Sequence, residues 1–220
     1  MINKKGLLLV VSGPSGTGKG TICKDIVSKY EDINLSISAT TRSPRVGEVE
    51  GRSYFFKTKE EFEAMVKKGE FLEYARIYDN YYGTPKKAIF DELDMGRDVI
   101  LEIEMQGAMQ IKKVYPEAVF IFVLPPSLQE LKSRIIGRGT ETEEEIEKRF
   151  NSAYDEIKLL GEYDYFIFNN IVEKSSEEIL NILQVEKNKV KRYKNNILDM
   201  FEKEIKNVKA ITKWYCRKNR

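Results

Sequence analysis

Residues 13–21 read Gly-Pro-Ser-Gly-Thr-Gly-Lys-Gly-Thr and follow directly on the apolar run Leu-Leu-Leu-Val-Val at 7–11. An apolar strand that breaks into a glycine-rich turn with a lysine has the form of a phosphate cradle. Its glycines let the backbone curl until several N–H groups converge on one anion. Beyond it, Ile22, Ile26 and Val27 recur at helical spacing, so a helix N-terminus adds unpaired N–H groups and a positive dipole end. Gly13, Pro14, Ser15, Gly16, Thr17, Gly18, Lys19, Gly20 and Thr21 are therefore expected to hold nucleotide phosphates, with Lys19 reaching the outer ones. Gly20 stands where the strict motif carries the Ser or Thr whose hydroxyl meets magnesium.

Two further groups have the right chemistry for a phosphorylated ligand. Arg42 and Arg45 lie in the polar, turn-rich stretch 40–52, and their forked guanidinium groups suit a phosphate. Taken alone, such a stretch is more often a solvated turn. Glu102 and Glu104 close the apolar run 98–104; if both are on one strand, they face the same way. The chain contains no histidine, which removes Ser-His and Cys-His nucleophile pairs and His-based zinc sites. Phosphoryl transfer needs neither, because it works by positioning and charge neutralisation.

The elements that must position these groups alternate strand and helix. Strands are predicted at 7–11, 34–38, 98–104, 119–124 and 165–168, with helices at 21–30, 86–95, 108–114 and, in two pieces, 128–150. Between 36 and 88 the rhythm is interrupted by short strands at 54–56, 71–75 and 80–84 and an amphipathic helix at 59–68. The expectation is an α/β fold with a doubly wound parallel sheet, whose ligands sit at the carboxyl ends of its strands. Its core takes residues 1–35, 89–125 and 156–185, with an inserted mixed α/β subdomain at 36–88, a helical lid at 126–155 and a basic helical extension at 186–220.

Composition narrows the setting. Thirty-seven basic and thirty-five acidic residues nearly cancel, which favours neither nucleic acid nor a membrane as partner, although the segment 186–220 holds twelve Lys/Arg against four Asp/Glu. Its apolar stripe (Val190, Tyr193, Ile197, Met200, Phe201, Ile205, Val208, Ile211) predicts a helix packed on its own domain or on a second copy, so a monomer or a homodimer. Cys23 and Cys216 are far apart and lack metal-ligand spacing, which suggests a reducing compartment, with cytoplasm as the expected location. The first apolar run is too short for a leader and passes straight into the glycine loop.

Five ordered motifs then carry a resemblance: the loop 13–21; Ser-Ala-Thr-Thr-Arg-Ser-Pro-Arg at 38–45 with Gly47-Glu48; Asn-Tyr-Tyr-Gly-Thr at 80–84; Glu-Ile-Glu-Met-Gln-Gly at 102–107; and Gly-Arg-Gly-Thr-Glu-Thr-Glu at 137–143. Together they resemble the guanylate kinases over about residues 5–184. The resemblance implies transfer of the ATP γ-phosphate to GMP or dGMP, giving ADP and GDP, with magnesium. It makes Arg42, Arg45, Tyr54 and Tyr82 the holders of the GMP phosphate. It makes Glu73 and Glu104 readers of guanine, with Ser38 and Thr84 as hydroxyl partners and Glu102 nearby. An ionised carboxylate only accepts, so it matches guanine's adjacent N1–H and amino donors and opposes the acceptor that adenine presents. Arg134, Arg138 and Arg149 correspond to lid arginines that approach the ATP phosphates, and Asn169 to a position that contacts adenine. Family members commonly carry Asp at 102 and 104, so each glutamate here sets its carboxylate about 1.5 Å farther out. Magnesium is expected on phosphate oxygens and water, with no direct protein ligand. A non-catalytic phosphopeptide-binding module has no use for an ATP cradle. A phosphosugar kinase leaves Glu73, Thr84 and Glu104 without a purpose.

Overall fold

The structure, a computed structural model, describes residues 4–77, 79–136 and 143–218. The chain runs β1 (Leu8–Ser12), α1 (Lys19–Lys29), β2 (Ile33–Leu35), β3 (Ala39–Thr40), β4 (Phe55–Phe56), α2 (Lys59–Lys67), β5 (Phe71–Ile77) and β6 (Asn80–Pro85). It continues through α3 (Lys86–Asp94), β7 (Asp98–Glu102), α4 (Met105–Val114), β8 (Val119–Leu124), α5 (Leu128–Ile136), α6 (Glu143–Ile157), β9 (Tyr165–Phe168), α7 (Val172–Glu186) and α8 (Val190–Lys218).

Five strands form a parallel sheet in the order β2-β7-β1-β8-β9. Its central strands are apolar on both faces because both faces are covered by helices. Alternation along β1 divides the core. Leu9 and Val11 join Ile22, Cys23 and Ile26 of α1 and Ile179 and Leu183 of α7. Leu8 and Val10 join Ile89 and Leu93 of α3 and Ala108 and Ile111 of α4. Asp98, buried at the start of β7, accepts from the Leu7 amide and pairs with Lys187 at the end of α7, tying sheet to helix.

A second sheet has the order β4-β3-β6-β5, with β5 and β6 antiparallel and β3 parallel to β4. Its helix α2 starts on a reciprocal capping box between Thr58 and Glu61. Phe62, the fully buried residue of that helix, stacks on Phe71 and Tyr81 with ring centroids 4.5 and 5.4 Å apart.

Two sequence expectations are corrected. The strand expected at 34–38 ends at Leu35, and Ala39–Thr40 joins the second sheet, because the chain must leave one sheet to enter the other. The strand expected at 98–104 ends at Glu102, since α4 begins at Met105 with Glu104 as its N-terminal cap residue. Glu102 and Glu104 therefore do not share a strand face. The C-terminal segment forms α8, whose first turns dock through buried Tyr193 and through Arg192, which reaches Glu186 and the Glu117 carbonyl. Farther along, Leu198, Phe201 and Ile205 are each about half exposed.

Candidate active site

The carboxyl ends of the parallel strands carry the candidate residues to one edge of the sheet. There β1 opens into the glycine loop, β7 ends on Glu102, β8 leads to α5, and β9 is followed by Asn169. Doubly wound sheets bind ligands at this edge. A separate cavity of about 690 Å³ lies at the opposite strand ends, lined by Lys5, Glu117, Glu186, Lys189, Arg192 and Tyr193 among others, away from these groups.

In the loop, Gly16 and Gly18 have φ of 90° and 86°, conformations that L side chains rarely adopt, and Gly18 starts α1 without a side-chain cap. The start of α1 thus has no side chain competing with an anion for its first amides. Pro14 is an internal anchor: its carbonyl accepts from the Thr17 hydroxyl at 2.9 Å and from Lys19 at 3.0 Å. Ser15 is part-exposed and Thr21 exposed, with the Thr21 amide bonded to the Gly18 carbonyl. Lys19 also donates to the Gly13 carbonyl. Burial pulls its pKa down, while Glu102, Glu104 and Glu156 act to raise it. Its ammonium rests on the Gly13 and Pro14 carbonyls.

Asn169 supports this loop from behind. It is 3% exposed, donates through Nδ2 to the Thr17 carbonyl at 2.7 Å and accepts from the Ser175 hydroxyl at 3.2 Å. Its amide thus has protein partners on both sides. Arg134 on α5 bonds Glu130 at 2.9 Å and the Asn169 carbonyl at 3.2 Å, at the rim of the same loop. Arg138 lies outside the described residues, as does the side chain of Arg149.

The second sheet holds the groups expected at the base. Glu73 on β5 sits opposite Thr84 on β6, and the Thr84 hydroxyl donates to Glu73 Oε1 at 2.5 Å. Both are buried, at 7% and 0% exposure. Burial pushes the Glu73 carboxyl above its ordinary range, with Thr84 partly offsetting this. The other oxygen lies against Gly107 of α4, where a Cβ would come within 2.8 Å of Oε2. Among the described residues, only one oxygen has a protein hydrogen-bond donor. Ser38 accepts through its carbonyl from the Phe55 amide, which places it beside β4.

A cationic cluster stands on the loop between β3 and β4. Arg42 pairs with Glu48 at 2.7 Å, donates to the Ser43 carbonyl and lies over the Tyr54 ring at 5.4 Å from its centroid. Tyr54 and Tyr82 meet edge to face at 6.1 Å. Glu48 holds the Arg42 guanidinium firmly charged, and burial raises the Tyr54 hydroxyl. The Arg45 amide donates to Glu48 at 2.7 Å while its side chain is exposed. Glu48 is thus an organising residue to which sequence reasoning gave no role. An acidic residue three positions after Arg45, in a turn that also carries Arg42 and Arg52, was the available signal. Glu156 was missed as well: it is distant in sequence, and only the packing of α6 brings it into the field of Lys19.

Glu102 and Glu104 are both exposed, Glu104 at the start of α4 and Glu102 at the end of β7, where its carboxylate lies against Gly20 in the first turn of α1.

A glycine loop at the end of β1 and a carboxylate–hydroxyl pair on an inserted sheet define a P-loop kinase of the nucleoside monophosphate class. The comparisons narrow it. The guanylate kinase family model matches residues 5–186. The guanylate kinase of Clostridioides difficile (strain 630) is 67% identical over 205 residues, covering 93% of this chain and 100% of that protein. That of Caldanaerobacter subterraneus subsp. tengcongensis is 53% identical over 204 residues, covering 93% and 99%. Among solved structures, the guanylate kinase from Anaplasma phagocytophilum aligns with a TM-score of 0.72 at 35% identity, covering 87% of this chain and 92% of that one. The chain belongs to the guanylate kinase family.

Proposed function

We infer that this chain transfers the γ-phosphate of ATP to GMP or dGMP, giving ADP and GDP, as an ATP:GMP phosphotransferase. The observation that carries the choice of acceptor is the buried Glu73–Thr84 pair, opposed across β5 and β6. One carboxylate oxygen takes the Thr84 hydroxyl, and the other is positioned to accept from guanine N1–H and the amino group. An adenine ring would oppose that oxygen with its own acceptor, an unpaired buried contact that sites of this kind reject strongly.

At the other end, loop amides and the start of α1 hold the ATP phosphates. Lys19 moves from the Gly13 and Pro14 carbonyls to neutralise charge on the transferring group. Arg42, steadied by Glu48 and Tyr54, orients the GMP phosphate with Arg45 and Tyr82. Arg134, Arg138 and Arg149 are assigned to the ATP side, with Asn169 bracing the loop. The division into a core, a GMP-binding subdomain at 36–88, a lid at 126–155 and the extension from 186 belongs to the same proposal.

The donor set also fits magnesium held by phosphates and water. Gly20 contributes no hydroxyl, and the acidic group facing that turn is Glu102, which suits contact with bound water. Magnesium, when bound, supplies charge neutralisation on the phosphate oxygens. A cytoplasmic setting fits the reaction, and among the described residues no helix is long and apolar enough to cross a membrane.

A coupled assay offering GMP, AMP, CMP and UMP with Mg-ATP tests the assignment. ADP formation is expected with GMP well above the other three. No ADP formation with GMP would sink it.

A further inference from the structure

Helix α4 meets a different neighbour on each of two faces. Ala108 and Ile111 are buried in the core with Leu8 and Val10 of β1. Gly107 and Gln110, also three residues apart and so on one face, meet β5 instead. β5 is the outer strand of the second sheet, and an outer strand leaves main-chain groups unpaired. At Tyr74 one side chain takes both. The Tyr74 amide donates to Gln110 Oε1 at 3.3 Å, and Gln110 Nε2 donates to the Tyr74 carbonyl at 3.0 Å. A carboxamide carries the donor and the acceptor that such a pairing needs. The residue before Tyr74 is Glu73, whose Oε2 and Cδ would lie 2.8 and 3.1 Å from a Cβ at position 107. Consecutive residues of β5 are thus seated on one helix, the first by close packing and the second by hydrogen bonds.

We propose that Gln110 is a positioning residue: its two hydrogen bonds to Tyr74 fix β5 on α4 and so set where the Glu73 carboxylate stands against the guanine edge. The role rests on the phosphotransferase assignment above. Gln110 touches no substrate in it. α4 follows β7 almost directly, so the parallel sheet sets its place, and Gln110 carries that place across to the second sheet. The tolerance is small. Good hydrogen bonds span only about 0.5 Å in donor–acceptor distance, so a drift of β5 by ~1 Å would spoil the match to guanine.

Gln110→Met tests this, because it keeps an unbranched helix-favouring side chain and removes both hydrogen bonds. Hydrogen exchange at the Tyr74 amide should speed up by about tenfold, whichever substrate the protein uses. The kcat/KM for GMP should fall by about three- to tenfold, through KM, while that for AMP stays within about twofold. ADP affinity, by calorimetry, should not change. In a Glu73→Gln background the same substitution should move the GMP-over-AMP ratio by less than about twofold, since Gln110 acts through Glu73. Ile111→Val, on the core face of the same helix, should lower the thermal midpoint at least as much and leave the ratio unmoved.

An intact GMP-over-AMP ratio in Gln110→Met, with the Tyr74 amide deprotected, overturns the proposal. So does an equal fall for GMP and AMP, or a loss that adds in full to that of Glu73→Gln. A similar fall in Ile111→Val would reduce Gln110 to a structural residue. Unchanged exchange at Tyr74 denies the clamp itself. Failure of the unaltered chain to phosphorylate GMP strikes the phosphotransferase assignment and the role at Glu73 with it, while exchange at Tyr74 still reads the clamp.

Discussion

At the proposed phosphate end the groups assigned to the ligand are main-chain amides, aimed by Gly16 and Gly18 at φ 90° and 86° and by the start of α1. At the base end they are two side chains, Glu73 and Thr84, which meet only because β5 and β6 pair in one register. The first is a local property of nine consecutive residues. The second needs a hairpin, the Gly107 gap in α4, and burial that removes competing water. A main-chain cradle binds any polyphosphate and discriminates little. A buried acceptor pair contributes little binding of charge but separates one base from another. On the proposed reading, chemistry and specificity are carried by different layers of the molecule, and substitutions should break one without the other.

The largest effect is expected from Lys19→Ala. Lys19 is the cation assigned to the transferring phosphate, so kcat should fall by about 10³-fold. GMP affinity, measured by calorimetry, should stay within about threefold. A matching loss of GMP binding would show that the two ends are not separable.

Glu73→Gln is the converse. It replaces an acceptor with a group that also donates, against guanine's two donors. The GMP-over-AMP ratio of kcat/KM should fall by about 10²-fold, or ~2.7 kcal/mol of discrimination. ADP binding should not change. Intact base preference in this variant would remove Glu73 from its assigned role.

The same carboxylate sets a pH dependence with a definite sign. Burial raises its pKa above the ordinary 4.5, so the folded protein retains a proton that the unfolded chain has released. The resulting stability is present below the unfolded value and is lost as pH rises through the folded one. GMP needs the ionised form, so its affinity should drop as pH falls through the raised pKa, approaching about tenfold per unit below it. GMP's own phosphate also titrates, near pH 6. The decisive quantity is therefore the difference between unaltered protein and Glu73→Gln. Because Thr84 offsets the rise, Thr84→Val should move the fall to higher pH and weaken GMP by about three- to tenfold. An unmoved profile would mean that the hydroxyl does not bear on the charge.

The same contrast explains what the sequence made legible. The loop 13–21, the alternation of the parallel sheet and the α2 segment are patterns of adjacent residues, and they fold as their spacing predicts. Five ordered motifs were enough to bring Glu73, Thr84 and Arg42 into one hypothesis. The exit from β2 and the end of β7 were not legible, because apolar alternation does not mark where a chain changes sheets or where a cap takes over from a strand. Glu156 and the Gly20–Glu102 contact were invisible for a related reason, since each depends on distant elements converging, whereas Glu48 acts within its own loop and carried a local signal.

The smallest predicted effect tests how independently the second layer stands. Thr58 caps α2, and α2 supports the β5–β6 hairpin through Phe62 stacked on Phe71 and Tyr81. Thr58→Ala removes one arm of the capping box and should lower stability by about 1 kcal/mol in urea denaturation. The stacked rings and the Glu73–Thr84 register do not depend on that hydroxyl, so the GMP-over-AMP ratio should stay within about twofold. If the ratio instead fell tenfold at constant kcat with GMP, base reading would depend on how tightly α2 is docked. Specificity would then be a property of the whole second sheet, and no longer of the pair of side chains that faces the base.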